Sequence, residues 1–378
     1  MKLTYNKNDK NENIFIEKRQ SNLELLRIIS IIMIIMHHYA LYSGLTWKNE
    51  ITANALIINF FLMFGKLGAL VFVIILGYFY DKTKFKIKKL ITLLVQVWII
   101  SIIGLIIGVI TDSEKLNIIN IIKSIFPVSF SVYWFASCYI LLYIFIPFLK
   151  KIIINICKKD FKILLTIMIG IWFIYANIPG VEVFSSNFIL FVTIYLIGGY
   201  IKKYNINFLT NKKRVLTLTF FIALMYLIML VIQVVSIKVP FLQNKWSYFN
   251  GQRSPLVLVL AVIFLVTFKN WNIKSSKIIN KIASTTFGIY LIHENFFTKD
   301  IIWKQIVKGN EFINSPLLIL NAILGVLGVF IVSMIIYIIV EKLIINNLLK
   351  IFSKIYSKLR CTKKYMYLEA KLVKYYNS

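Results

Sequence analysis

SNLELLRIISIIMIIMHHY, residues 21–39, is the stretch whose reading decides the fold. It is apolar for most of its length, with Glu24 and Arg27 at one end and His37 and His38 deep inside. Such a run reads as a membrane-crossing helix, because a hydrocarbon core takes about 20 residues of helix to span. Arg27 and His38 are eleven residues apart. At about 100° and 1.5 Å per residue they share one helix face, roughly 16 Å apart along the axis. Glu24 lies one turn before Arg27 and about 60° off that face, while His37 points about 80° away from Arg27. Ionisable groups inside a membrane helix mark functional sites by default, which makes this column the first candidate.

The rest of the composition agrees with a membrane setting. Of 378 residues, 59% are hydrophobic and 16% charged, whereas a soluble domain carries about 25% charged residues. Met1–Gln20 is polar and of mixed charge, without the apolar core of a signal peptide, and reads as a cytoplasmic tail. Cys138, Cys157 and Cys361 are odd in number and far apart, so neither a disulfide framework nor a metal site is expected. The abundance of Ile, Lys, Asn and Phe fits an AT-rich bacterial genome.

Apolar segments of spanning character lie near 24–44, 58–80, 89–110, 131–149, 162–178, 187–201, 214–237, 254–269, 282–302 and 316–345. The fold class expected is an all-α polytopic membrane protein, a single bundle of about ten transmembrane helices, with Leu116–Ile125 as a short interfacial helix. With the N-terminus inside, 34 of the 44 Lys and Arg fall on the inner side and nine in outer loops, leaving Lys66 within the second span. That asymmetry places both termini in the cytoplasm of a multi-pass plasma-membrane protein. The net charge of +29 is then a topology signal and a surface for anionic lipids, and a nucleic-acid partner is not expected.

Three histidines carry the chemistry. His38 and His293 sit at similar depth in the first and ninth spans, where two imidazoles can line one cavity and a neutral imidazole can act as a general base. The plainer reading is that they hydrogen-bond between helices. His37, on another face, is the weaker candidate. Arg27 suits a phosphate, which its planar fork can grip, or it snorkels to the inner surface. Glu24 pairs with it or only orients it. Glu294 is a further carboxylate beside His293, or a residue nearing the outer interface. Lys66 either snorkels or faces the bundle interior. Tyr133 and Trp134 suit an interfacial aromatic belt.

At these residues the chain resembles the integral-membrane acyltransferase-3 family. Its opening pattern is an acidic residue, Leu-Arg, ten residues and His, matched by Glu24, Leu26-Arg27 and His38. Four further blocks are similar and in order: GALVFVIILGYFY (68–80), YWFASCYILLYIFIPFL (133–149), IYLIGGYIKKY (194–204) and INKIASTTFGIYLIHENFF (279–297). Leu76 stands where relatives carry a serine before the glycine, and Lys86, Lys88 and Lys89 stand where arginines are common.

The resemblance implies an acyl-CoA donor, commonly acetyl-CoA, held near Arg27, Lys86 and Lys89. It also implies catalysis at His38, as general base or transient acyl carrier, with His293 on the thioester carbonyl or the acceptor and Glu24 in support. Trp134, Tyr139, Glu294 and His37 are the candidate substrate contacts. The acceptor expected is a glycan or lipid-linked glycan at the cell surface, with peptidoglycan or a small molecule as alternatives and a transporter or flippase as the rival class. The division implied is a tail over 1–20, the transmembrane domain over 21–348 and a basic cytoplasmic tail over 349–378.

Overall fold

The computed structural model of the chain describes residues 19–42, 52–178, 186–208, 211–242 and 248–360. The expected tails therefore lie outside the described residues up to position 18 and beyond 360, as do the outer-loop lysines Lys48 and Lys245. Among the described residues all regular structure is helical.

The helices are α1 (Ser21–Tyr42), α2 (Ala53–Leu62), α3 (Gly65–Tyr78), α4 (Ile87–Ile110), α5 (Ile118–Ile125), α6 (Trp134–Asn155), α7 (Lys158–Ile169), α8 (Asn187–Lys203), α9 (Asn211–Lys238), α10 (Pro255–Lys269), α11 (Lys277–His293), α12 (Leu318–Val340) and α13 (Asn346–Arg360). Among the described residues seven helical segments are long and apolar enough to cross a membrane, with α2 and α3 together forming one of them. Helices α8, α10 and α11, at 17, 15 and 17 residues, are shorter. The chain is a multi-pass membrane protein.

The bundle is built around α1 and α3. Helix α1 packs against α2, α3, α10, α11 and α12, and α3 packs against α8 and α10 as well. The α2–α3 span is 78% buried and that of α9 only 11%, so α9 lies at the periphery. Close approach at the centre requires glycine. A Cβ on Gly77 would run into the Tyr195 backbone of α8, and one on Gly198 would run into the Ile74 carbonyl of α3. With no hydrophobic force between helices in lipid, such backbone contact and its dispersion energy hold the pair together.

Two expected spans differ. The segment over 58–80 is not one helix: it breaks at Met63–Phe64. The carbonyl freed at Leu62 is taken by His37 Nδ1 at 2.7 Å and by Asn250 Nδ2 at 3.3 Å. Irregular backbone at membrane depth persists only where protein groups satisfy it in this way. The ninth segment was expected to run to 302, but α11 ends at His293. Asn295 turns the chain there, its Oδ1 accepting from the N–H groups of Phe297 and Thr298 at 3.0 and 3.3 Å. A short polar side chain that captures nearby backbone competes with the helix.

Helix α5 matches the expected short helix after the third span, with most of its isoleucines exposed. The last segment continues through a π-helical turn at Glu341–Ile345 into α13.

Gly198→Val should lower the thermal stability of the protein in detergent by about 1–3 kcal/mol or more, because backbone cannot yield to the added methyls. Gly328→Ala, where a Cβ meets open space, should be neutral or stabilising. Equal melting behaviour of the two variants would refute the α3–α8 contact.

Candidate active site

Helices α1 and α11 run side by side in the same direction. At their first turns Ser21 Oγ donates to Asn280 Oδ1 at 3.0 Å and accepts from the Ser276 N–H at 2.8 Å. At their far ends His38 meets His293. Pinning at both ends fixes the register that brings two imidazoles together.

The His38 Nδ1 to His293 Nε2 distance is 3.0 Å, and both residues are buried. His293 Nδ1 lies 2.6 Å from the Ile289 carbonyl oxygen one turn earlier. A carbonyl only accepts, so a neutral His293 carries its proton on Nδ1 and presents a lone pair at Nε2. His38 must then carry its proton on Nδ1 and donate it to His293. Glu294 Oε2 lies 3.2 Å from the same Nδ1. Its angle makes no hydrogen bond, so the better directed partner is His293 and the carboxylate adds charge alongside. With Nδ1 committed, the lone pair of His38 is on Nε2. That is the tautomer a general base needs, and its orientation is set by the partner on the other nitrogen.

Glu294 is held in turn. Tyr42, one turn after His38, donates its O–H to Glu294 Oε1 at 2.8 Å. The Lys299 ammonium stands over the Tyr42 ring, 4.7 Å from its centroid. Lys66 faces the bundle interior with its Nζ 4.6 Å from the Trp134 ring centroid, and both lysines interact electrostatically with Glu294. His38, His293 and Glu294 also offer ligand atoms within 4.8 Å of one another. A divalent cation and the hydrogen-bonded arrangement would use the same lone pairs.

A cavity of about 240 Å³ lies at the opposite, basic end and runs inward. Arg19, Arg27 and Lys89 line its mouth, and Ile31, Ile34, Phe72, Leu76, Phe135, Tyr139, Phe287 and Tyr290 line its stem. Ile34 and Tyr290 are one turn before His38 and His293, so the imidazoles stand roughly 5–6 Å beyond the stem's inner end. Arg27 Nη1 donates to both Glu24 carboxylate oxygens, at 3.2 and 3.1 Å, and Arg19 approaches the same carboxylate at 3.9 Å.

The sequence candidates thus fall into separate groups. His38, His293 and Glu294 form one cluster. Arg27 and Lys89 form a second at the cavity mouth. Glu24 belongs to that mouth, roughly 21 Å along α1 from His38. Lys86 is exposed and does not line the cavity; its backbone N–H donates to the Tyr143 hydroxyl at 3.0 Å. Tyr139 lines the stem on the donor side, and Leu76 puts an apolar wall where a hydroxyl was expected from relatives. Trp134 sits beneath Lys66, against Phe135 and Phe191. His37 packs on Gly65 and the freed Leu62 carbonyl, a place in the helix break.

Tyr42, Lys299 and Tyr290 were not singled out from sequence. Tyr42 was within reach of the argument, being four residues after His38 on the same face.

The family model described as an acyltransferase domain matches residues 20–339, most of the chain. The chain belongs to the acyltransferase-3 family. It is therefore a membrane acyltransferase, and both ends of the site, from Glu24 to Lys299, fall within the matched domain, with Arg19 just before its first residue. No curated protein and no solved structure matches the chain.

All three histidines place Nδ1 against an acceptor. Nitrogen-15 NMR of histidine-labelled protein at neutral pH should therefore find Nδ1–H and a bare Nε2 at each. A bare Nδ1 at His38 would overturn the wiring derived above.

Proposed function

We propose that the chain moves an acetyl group from cytoplasmic acetyl-CoA to a hydroxyl of a cell-surface polysaccharide or its lipid-linked precursor. The observation that carries this reading is the basic-mouthed cavity whose apolar stem ends one turn short of a histidine with a free Nε2 lone pair.

In this reading the short helices α8, α10 and α11 also cross, giving ten spans with both termini in the cytoplasm. The 34-to-nine asymmetry of basic residues supports that orientation. The basic mouth then faces the cytoplasm, where a CoA phosphate meets Arg27, Arg19 and Lys89. Arg27 offers the bidentate contact. The largely apolar stem suits the pantetheine arm and a short acyl chain, and Leu76 adds to its apolar wall. The histidine end faces the plasma membrane's outer side, from which the acceptor enters.

His38 acts as general base. Its Nε2 takes the acceptor proton as the hydroxyl oxygen attacks the thioester carbonyl carbon, and returns it to the CoA sulfur when the C–S bond breaks. Glu294 stabilises the transient imidazolium, as a carboxylate beside a catalytic imidazole does elsewhere. His293 fixes the tautomer. Glu24 is a positioning residue for Arg27 in the basic mouth. The bundle over 21–348 carries all of these groups but Arg19, which belongs to the N-terminal tail over 1–20, and a basic tail over 349–378 meets anionic lipid at the inner surface.

His38→Ala in liposomes supplied with labelled acetyl-CoA should lose transfer while folding normally; wild-type product from that variant would remove the reading. Arg27→Lys keeps the charge but not the fork and should raise the KM for acetyl-CoA about tenfold, near the value of one lost charge-assisted contact. Transfer that EDTA abolishes and zinc restores would instead assign the cluster to a metal. NMR of surface glycans from a deletion strain identifies the acceptor: loss of acetyl signals from one glycan is expected, and unchanged signals on all of them would refute a glycan acceptor.

A further inference from the structure

A thioester attacked at its carbonyl develops negative charge on oxygen, and that charge needs donors already in place. His293 cannot serve, since one of its nitrogens donates to Ile289 and the other accepts from His38. Most of the polar groups along the stem are also committed. Thr92 donates to the Lys88 carbonyl, Gln96 to the Tyr337 hydroxyl, Ser284 to the Lys281 carbonyl and Thr286 to the Ala283 carbonyl.

Tyr290 differs. It is 4% exposed, its O–H is given to no acceptor, and it lines the stem at the inner end. Its ring centroid lies 6.1 Å from that of His293 and 5.4 Å from that of Phe135. An unpartnered buried hydroxyl costs about 1–3 kcal/mol, so its retention at the end of a substrate cavity points to a bound acceptor atom.

The hydroxyl lies against the Phe135 backbone, in the first turn of the 22-residue helix α6. First-turn N–H groups have no intrahelical acceptor. The residue preceding α6, Tyr133, makes no side-chain cap, and its hydroxyl is engaged by Asn295 Nδ2 at 2.9 Å. Phe135 also lines the stem. A helix N-terminus carries partial positive charge, so the α6 end and its Phe135 N–H face the tyrosine oxygen and polarise the O–H, which is left as the donor.

We infer that the Tyr290 hydroxyl, with the first turn of α6 behind it, is the oxyanion donor for the donor's carbonyl oxygen. This rests on the acyl-transfer reading above. The acceptor oxygen adds to the carbonyl carbon and its proton passes to His38 Nε2. The C=O electron pair moves onto oxygen, where the Tyr290 O–H holds it. The pair returns, the C–S bond breaks, and the sulfur takes the proton back from His38, leaving an ester and CoA thiol.

Tyr290→Phe deletes the hydroxyl and keeps the ring. Purified wild-type and variant protein in liposomes, supplied with acetyl-CoA and the host's envelope glycan fraction, are compared by release of CoA thiol. The expected result is a fall in kcat of about 10²–10³-fold, with KM for acetyl-CoA within twofold and an unchanged melting temperature. A kcat within threefold of wild type, alongside an inactive His38→Ala, would overturn the oxyanion site and leave the acyl-transfer reading standing. Full activity in His38→Ala would bring down both. Should Tyr290→Phe fail to fold, monofluorotyrosine at position 290 keeps the hydroxyl and makes it more acidic. It should then change kcat at constant KM, and an unchanged kcat would overturn the proposal.

Discussion

A polar group inside a membrane bundle must find its partner within the protein, and the contact of His38 with His293 is where this chain meets that constraint most strictly. Neither imidazole can be solvated, so each fixes the other's protonation. The lengths of α1 and α11, the Ser21–Asn280 tie and the halt of α11 at its last histidine all serve to bring them level. The glycine-mediated approach of α3 to α8 has a parallel role. It consolidates the layer against which α1 rests, so that a 3.0 Å contact is held by rigid backbone and not by side chains alone.

The arrangement separates two demands that would conflict in one place. In the proposed reaction charge recognition falls to the basic mouth, where Arg19, Arg27 and Lys89 remain close to water and their hydration is only partly lost. Proton handling falls to the far end, in surroundings of low dielectric where a single lone pair has directional value. The stem between them carries no charged side chain, and Thr92, Gln96, Ser284 and Thr286 along it already donate within the protein. In that reading a charged group held at the mouth meets no counter-charge farther in, and the neutral end of the donor advances to the histidines.

Much of this was legible in the sequence, and the reasons differ by residue. The helical phase of residues 21–39 singled out His38 from its neighbour because the 3.6-residue period is insensitive to context. The shared depth of His38 and His293 followed from a constant rise per residue. What escaped were features set by competition between backbone and side chain. The turn at Asn295 truncated an apolar run that hydropathy alone extends to 302. The break at Met63–Phe64 depends on a donor from α1, His37, that no local pattern around the break contains. Lys86 and Lys89 look alike in sequence, yet only the second reaches the cavity, since Lys86 is the extended residue before α4 and Lys89 lies in the first turn of that helix. Tyr290 looked like one aromatic among many, and its unused hydroxyl is visible only once every neighbour's partner is known.

The lock on His293 has a consequence for the membrane's electrical state. Its Nδ1 proton is held by a carbonyl of its own helix, so the pair offers no relay by which a proton could pass through to the other side. In the proposed reaction the hydrogen that leaves the acceptor departs covalently bound to sulfur, and the acyl group travels the other way. Two neutral fragments exchange sides and no net charge moves. Such an enzyme neither draws on the transmembrane voltage nor leaks it, and its direction is set by the free energy of the thioester alone.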